Sequence, residues 1–451
     1  MSEFIVIQVG QCGNQIGNAF WPLVLYEHGI CVDKLVKPSL KAVQDEAFHS
    51  FFDFPSYKKC HNIEDLKRCK VKARAILIDM ETSVVERFHN CRLRDLFDRP
   101  YSITDSPGSG NNWAFGHYEA GNLHKHKIRE MIRSAAECCS SLNGFLLFFS
   151  LAGGTGSGLG TAVLQYLQDD FPTIDRIVAC VHPGEHRDVV TSPYNVAFSL
   201  SKLALGATCV FPVDNKSLSK ICGKTKVTKD PLTSDLYQKV NAVIVRMLLN
   251  LTSGARFPGS LNFDLGDLPT NMVPYKGMHF LASSICPLVS GSEIGINILK
   301  RKKELLYSVC NEDHHLIQLN ALSGKVHTAA LIGRGDIPFS TAVDFQERLI
   351  AKLKRKPMGI TLGLSSVPPH DSPVSLLLLT NSSSMSTFFS QAVNDFNSLF
   401  LRKAYIHHYL KVDDFEFEEF SGAREVLLSQ VDTYTKTYED MIHIPRINVE
   451  I

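Results

Sequence analysis

Three features of this sequence predict an α/β fold, a parallel sheet covered by helices on both faces. Short unbroken apolar runs recur through the first half, helical stretches lie between them, and glycine-rich turns join the two. A strand, a glycine loop, a helix and a second strand form a βαβ unit, and a parallel sheet buries such units economically. With 451 residues, the chain can form two or three domains around a large core.

The opening run FIVIQVG, ending at Gly10, is apolar and β-branched, as a buried strand is. Ile16, Phe20, Val24 and Leu25 then recur at helical spacing, so a helix follows. ARAILID (73–79) predicts a second strand, KIREMIRSAAECCSSL (127–142) a long helix, and FLLFFSL (145–151) a strand covered on both faces. Leu159, Ala162, Val163, Tyr166, Leu167 and Phe171 predict another helix, and RIVACV (176–181) and CVFPV (209–213) two more strands. In YQKVNAVIVRMLLNLTS (237–253), Val243-Ile244-Val245 would suit a strand, but the length favours a buried central helix. TAALIGRG and SPVSLLLLT are strand-like, and the chain from 385 onward reads as mostly helical.

The charge balance, 47 Lys and Arg against 46 acids, gives no global pull toward nucleic acid or an anionic membrane. MSEFIVIQVGQCGNQ turns polar too early for a secretory signal, and GFLLFFSLAGG and SLLLLT are too short to span a bilayer. Twelve scattered cysteines without a CxxC pair point to reduced thiols in the cytosol. His314-His315, His407-His408 and the HKH at 124–126 lack the cysteine or acid spacing of a metal site, and the basic KLKRKP (352–357) reads as a solvated face.

The stretch LAGGTGSGLG (151–160) follows a buried strand and opens a helix. Glycines there let backbone N–H groups approach a phosphate, which the positive end of the helix also attracts. Tight strand–helix packing is the competing explanation. The dinucleotide fingerprint GxGxxG fails at Leu159, which disfavours a nicotinamide enzyme. The GxxxxGK[ST] loop fails at Leu218, ahead of GKT (223–225). VGQCGNQIG after the first strand and DSPGSGNNWA (105–114) are two further glycine-bearing loops expected to converge on the same sheet edge.

GQCGNQIG (10–17), GSGNNWA (108–114), GGTGSG (153–158), SPYN (192–195), RFPGSLN (256–262) and NMVP (271–274) resemble the tubulin motifs in order and spacing. VKARAILIDME, KAYIHHYLKV and LSSVPP resemble the epsilon branch more than alpha, beta or gamma. The resemblance implies a tubulin-like fold: a Rossmann-like GTPase domain (1–214), a central helix with an α+β intermediate domain (215–384), and a C-terminal helical domain (385–451). It implies GTP and Mg²⁺ as ligands, and Gln11 and Cys12 beneath the phosphates. Ser150, Gly153, Gly154, Thr155 and Gly156 would wrap those phosphates, with Gly110 and Asn111 at the γ-phosphate. Asp79 and Glu81 match the acidic pair near Mg²⁺, acting mainly through its waters. Asn215 and Asn241 match the residues that read guanine, and Tyr237 the one that stacks on it.

Asp188 matches a ribose-contacting acid, while Ser192 stands where the family has glutamate, which implies altered sugar recognition. Ala152 stands where many tubulins have glycine, so that position needs no positive φ. Asp267 matches the acid that a neighbouring subunit supplies in trans to orient water for GTP hydrolysis. The resemblance implies a GTP-binding cytoskeletal protein of centrioles or basal bodies, partnered by other tubulins, by centriolar proteins or by its own copies. GTP would be its assembly switch. The alternative is a GTP-bound scaffold that neither polymerises nor hydrolyses. HIPRINVEI at the end is not an acidic tail, which counts against a bulk lattice role.

Overall fold

A computed structural model describes residues 2–32, 46–55, 60–106, 108–184, 189–224, 236–257, 259, 261–288, 302–353 and 356–436. Asp188 and the 437–451 terminus lie outside the described residues. The first strand, β1 (Glu3–Val9), is buried along its whole length, and Gly10 turns it directly into α1 (Gly10–Glu27). A hairpin of β2 (Phe52–Asp53) and β3 (Lys72–Ala73) flanks α2 (Ile63–Arg68), ahead of β4 (Ala75–Asp79), α3 (Thr82–Asn90) and β5 (Ser102–Thr104). Then come α4 (Gly121–Glu137), β6 (Leu142–Ser150), α5 (Gly160–Asp170), β7 (Asp175–His182), α6 (Ser192–Gly206), β8 (Cys209–Asp214) and α7 (Asn215–Lys224). Strands β5-β4-β1-β6-β7-β8 form one parallel sheet in that order.

Alternate residues of β1 enter different cores, as a sheet covered on both sides requires. Phe4 and Val6 pack with Phe20 and Trp21 of α1, while Ile5, Ile7 and Val9 pack with Ile128 of α4 and Leu164 of α5. The chain builds outward from β1 through β4 and β5, then returns to β1's other side with β6. Ligands of open α/β sheets bind beyond the strand ends at such a reversal, here past Val9 and Ser150, the last residues of the neighbouring strands β1 and β6.

Helix α8 (Leu236–Leu251) is buried from Val243 to Leu251. It packs between α1 and a second sheet ordered β11-β10-β12-β9, of Gly359–Ser365, Val326–Gly335, Val374–Ser382 and Ala282–Cys286. Val243-Ile244-Val245 is therefore helical despite its β-branched composition, because apolar surface surrounds it on all sides. Short helices α9 (Ser253–Arg256) and α10 (Asp267–Met272) follow, and α11 (Lys302–Val309) and α12 (Phe339–Lys352) accompany the second sheet. Helices α13 (Met385–Phe400), α14 (Ile406–Tyr409) and α15 (Glu418–Thr435) close the described chain against α6.

Two expected boundaries are corrected. The helix expected over 127–142 is α4, which begins at Gly121 and ends at Glu137. Ser141 instead donates its N–H to Glu3 Oε2 at 2.7 Å, and Leu142 begins β6 opposite Glu3. The strand expected over 73–79 is interrupted at Arg74. Its side chain turns inward to pair with Glu3 and to donate to the His49 and Cys138 carbonyls. Among the described residues no helix is long and apolar enough to cross a membrane.

At the far end of α1, Glu27 is completely buried between Arg256 (2.7 Å) and Arg334 (3.0 Å), themselves completely buried. Arg256 also donates to the Leu249 carbonyl of α8 at 2.6 Å. Burial alone would raise the Glu27 pKa, but Arg334 and Arg256 hold the carboxyl well below the usual range. The cluster ties α1, α8, α9 and β10 together.

Candidate functional site

The turn at Gly10 has φ +73, and its backbone meets that of Gly156, where a Cβ would lie 2.8 Å from the Gly156 nitrogen. α1 thus starts flush against the glycine loop. No side chain caps its first turn and no acid lies in it, so the N–H groups at Gln11 and Cys12 remain available to an anion. A cavity of about 330 Å³ opens there, between the ends of β1 and β6 on one side and the first turn of α8 on the other.

Of the residues singled out in the sequence, Gln11, Cys12, Ser150, Asn215, Tyr237 and Asn241 line this cavity. Gln11, Cys12 and Ser150 form one end, while Asn215, Tyr237 and Asn241 form the other, from α7 and α8. Tyr237 and Asn241 are one turn apart on α8 and share a face. Enclosure by protein pushes the Cys12 thiol up to about 12, so it lines the cavity as a neutral group.

Two of the glycines of 151–160 also serve packing. Thr155–Leu159 forms a π-helical turn that packs against a second one, Phe115–Ala120. A Cβ on Gly158 would lie 2.3 Å from the Trp113 carbonyl, and one on Gly154 2.7 Å from the Asn112 nitrogen. At both positions a side chain would collide with the 108–117 segment, through backbone alone at Gly158 and through the Ser109 side chain as well as backbone at Gly154. Gly153 differs, since a Cβ there would meet nothing closer than Ser150 Oγ at 3.5 Å. The third glycine loop does converge on this edge, with Ser109 Oγ 2.8 Å from Thr155 Oγ1. There Gly110 and Asn111 are consecutive left-handed residues, each at φ +55. Ala152 has no positive φ, as its side chain requires.

Asp79 ends β4 beside this edge, and Glu81 lies next to the third loop, near Gly108. Desolvation raises Asp79 to about 7, against the lowering pull of the Glu81 and Met80 backbone N–H groups. Its Oδ2 is buried and finds no hydrogen-bond partner among the described residues. Among those residues no three His, Cys, Asp or Glu converge as a metal site, so Asp79 and Glu81 could hold a cation only together with its waters or a bound phosphate.

Asp267 is not brought to the cavity. It begins α10, its Oδ2 accepts the Asp264 N–H at 2.9 Å, and Asp264 accepts the Ser2 hydroxyl at the opposite edge of the sheet.

Sequence reasoning passed over Gln15, which lines the cavity one turn beyond Gln11; that four-residue spacing was the available signal. It also passed over Asn195, visible only as the last letter of SPYN. Ser192, named for its departure from glutamate, lines the cavity with a buried hydroxyl that has no partner among the described residues.

The family model "Tubulin/FtsZ family, GTPase domain" matches residues 3–223. Along nearly its whole length the chain is similar to the tubulin epsilon chain of Mus musculus, at 38% identity over 96% of each chain. The tubulin epsilon chain of Homo sapiens is 37% identical over 100% of each. The tubulin beta-1 chain of Colletotrichum graminicola is 31% identical over 98% of each.

Proposed function

The chain belongs to the tubulin family, and from that premise we propose that its cavity holds a guanine nucleotide and that the protein is a GTP-binding cytoskeletal subunit of the epsilon type. One observation carries the reading: the uncapped start of α1 opens into a cavity whose far end presents two amides and a phenol. The α1 N–H groups, Ser150 and Gly153 suit the phosphates. Asn215 and Asn241 each offer a donor and an acceptor to guanine, and Tyr237 offers a ring to stack on it. The partnerless Asp79 oxygen, with Glu81, fits a hydrated Mg²⁺, which would offset phosphate charge.

Asp267 lies at the sheet edge opposite the cavity, so it could serve only the nucleotide of a neighbouring molecule. That placement supports a GTPase completed by assembly, with GTP as the switch. We further propose that the chain divides near 214 and 384, and that it works with other tubulins or centriolar proteins at centrosomes, centrioles or basal bodies. The resemblance to the epsilon branch supports these points. A second reading, a GTP-bound scaffold without turnover, draws support from the Asp267 carboxylate being engaged already by Asp264.

The test is to denature freshly purified protein and identify the released nucleotide by ion-exchange chromatography. About one guanine nucleotide per chain is expected, and none would overturn the reading. GTP turnover that rises with protein concentration favours the switch, and flat, negligible turnover favours the scaffold.

A further inference from the structure

Asn195 is completely buried on the first turn of α6, where the two phosphate-side loops cross. Its Nδ2 donates to the Asn111 carbonyl at 2.9 Å and to the Ala152 carbonyl at 2.6 Å. Its Oδ1 accepts the Trp113 N–H at 3.0 Å and the Tyr409 hydroxyl at 2.6 Å. Every donor and acceptor of this amide is used, and the Trp113 N–H leaves only one orientation for it. One side chain thus ties the left-handed Gly110–Asn111 turn to the loop that leads into Gly153.

The outer end of this arrangement is the turn 404–409. Besides Tyr409, its Ala404 carbonyl accepts the Tyr194 hydroxyl at 2.9 Å, and its His408 carbonyl accepts Asn112 Nδ2 at 2.9 Å. With a further contact from the Tyr409 hydroxyl to the Thr191 carbonyl at 3.3 Å, four hydrogen bonds hold the 404–409 turn to the start of α6 and to the loop beside Gly110. Tyr405 in this turn is left-handed at φ +61, a conformation that such contacts can hold in place.

We propose that Asn195 is the positioning residue of the phosphate end of the cavity, with Tyr409 fixing its orientation. The phosphate loops and the 404–409 turn then behave as one hydrogen-bonded body. Asn195 touches no ligand; it sets the spacing of the two loops whose backbones would. The inference rests on the reading of the cavity as a nucleotide site.

The test compares GTP with GMP, which lacks the β- and γ-phosphates, on the purified full chain and on N195A and Y409F. A lost positioning contact should weaken GTP about tenfold in N195A while GMP affinity stays within about twofold. Y409F leaves the phosphate-side bonds of Asn195 in place, so it should weaken GTP about two- to fivefold, again without affecting GMP. Equal losses for both ligands would mean a general structural role and overturn the proposal. Unchanged GTP binding in both variants would also overturn it, and if N195A does not fold, Y409F alone decides. Failure of the unaltered chain to bind either ligand is a separate outcome, which overturns the reading of the cavity and this inference with it.

Discussion

At their first turns α1 and α8 face the cavity; at their last turns the same two helices meet the Glu27 cluster. The polar groups at the two places differ in kind. Near the cavity, Ser192 Oγ and Asp79 Oδ2 are buried without partners among the described residues, and the start of α1 is uncapped. At the far end Glu27 uses both carboxylate oxygens, Arg334 reaches four acceptors, and the Leu249 carbonyl takes bonds from two arginines. Buried polar groups are normally satisfied, so the unused oxygens beside the cavity are where a ligand is expected. The far end also leaves His370 Nδ1 and Arg246 Nε without hydrogen-bond partners among the described residues, but its three charged groups neutralise and bond one another through Glu27, and there the fold is secured.

The largest effect should come from the Glu27 end. Glu27→Gln leaves Arg256 and Arg334 buried without an anion, and should cost about 3–5 kcal/mol in urea unfolding. A cost below about 1 kcal/mol would mean that the cluster does not secure the two helices.

Asp79→Asn tests the other end through pH. The folded pKa of Asp79 is raised to about 7 from 3.8, so between those values the folded chain keeps a proton that the unfolded chain has lost. Stability of the ligand-free protein should fall as pH rises across that window. The amide variant should flatten the slope and add roughly 1–3 kcal/mol at pH 8. Parallel pH profiles for the two proteins would show that Asp79 is not the strained carboxyl it is taken for.

The smallest effect sharpens the comparison most. Ser192→Ala removes a hydroxyl that has no partner among the described residues, so the ligand-free melting temperature should stay level or rise slightly. Affinity for GTP should fall by about two- to tenfold if the hydroxyl meets the nucleotide. Lower stability with unchanged affinity would reverse the assignment of the two ends.

The parts of this molecule that were legible in its sequence are those encoded locally. β1, β6, β7 and β8 are apolar runs bounded by glycine or polar residues, and they appear within a few residues of their expected places. The loops after β1 and β6 were legible as phosphate candidates because a strand end, glycines and a helix start occur together, but Gln11, Cys12 and Ser150 themselves were named by family resemblance. The far wall, Asn215, Tyr237 and Asn241, came from family resemblance, since a tyrosine four residues before an asparagine is otherwise ordinary surface polarity. The π-helical turns left no periodic mark, and the purpose of Gly154 and Gly158 depends on Asn112 and Trp113, some forty residues earlier. Asn195 and Glu27 were opaque for the same reason. The partners of Glu27 lie 229 and 307 residues away, a pairing that no spacing rule reaches.

The seam between the two π-helical turns limits how this protein can vary over evolutionary time. Both sides of the contact are main chain, so a side chain added at Gly158 cannot be accommodated by trimming a neighbour, as in an ordinary core. Second-site suppressors should be scarce there, and a saturation library should show intolerance in two blocks far apart in the gene. A change in either segment is therefore tolerated only if the other still leaves room for its main chain.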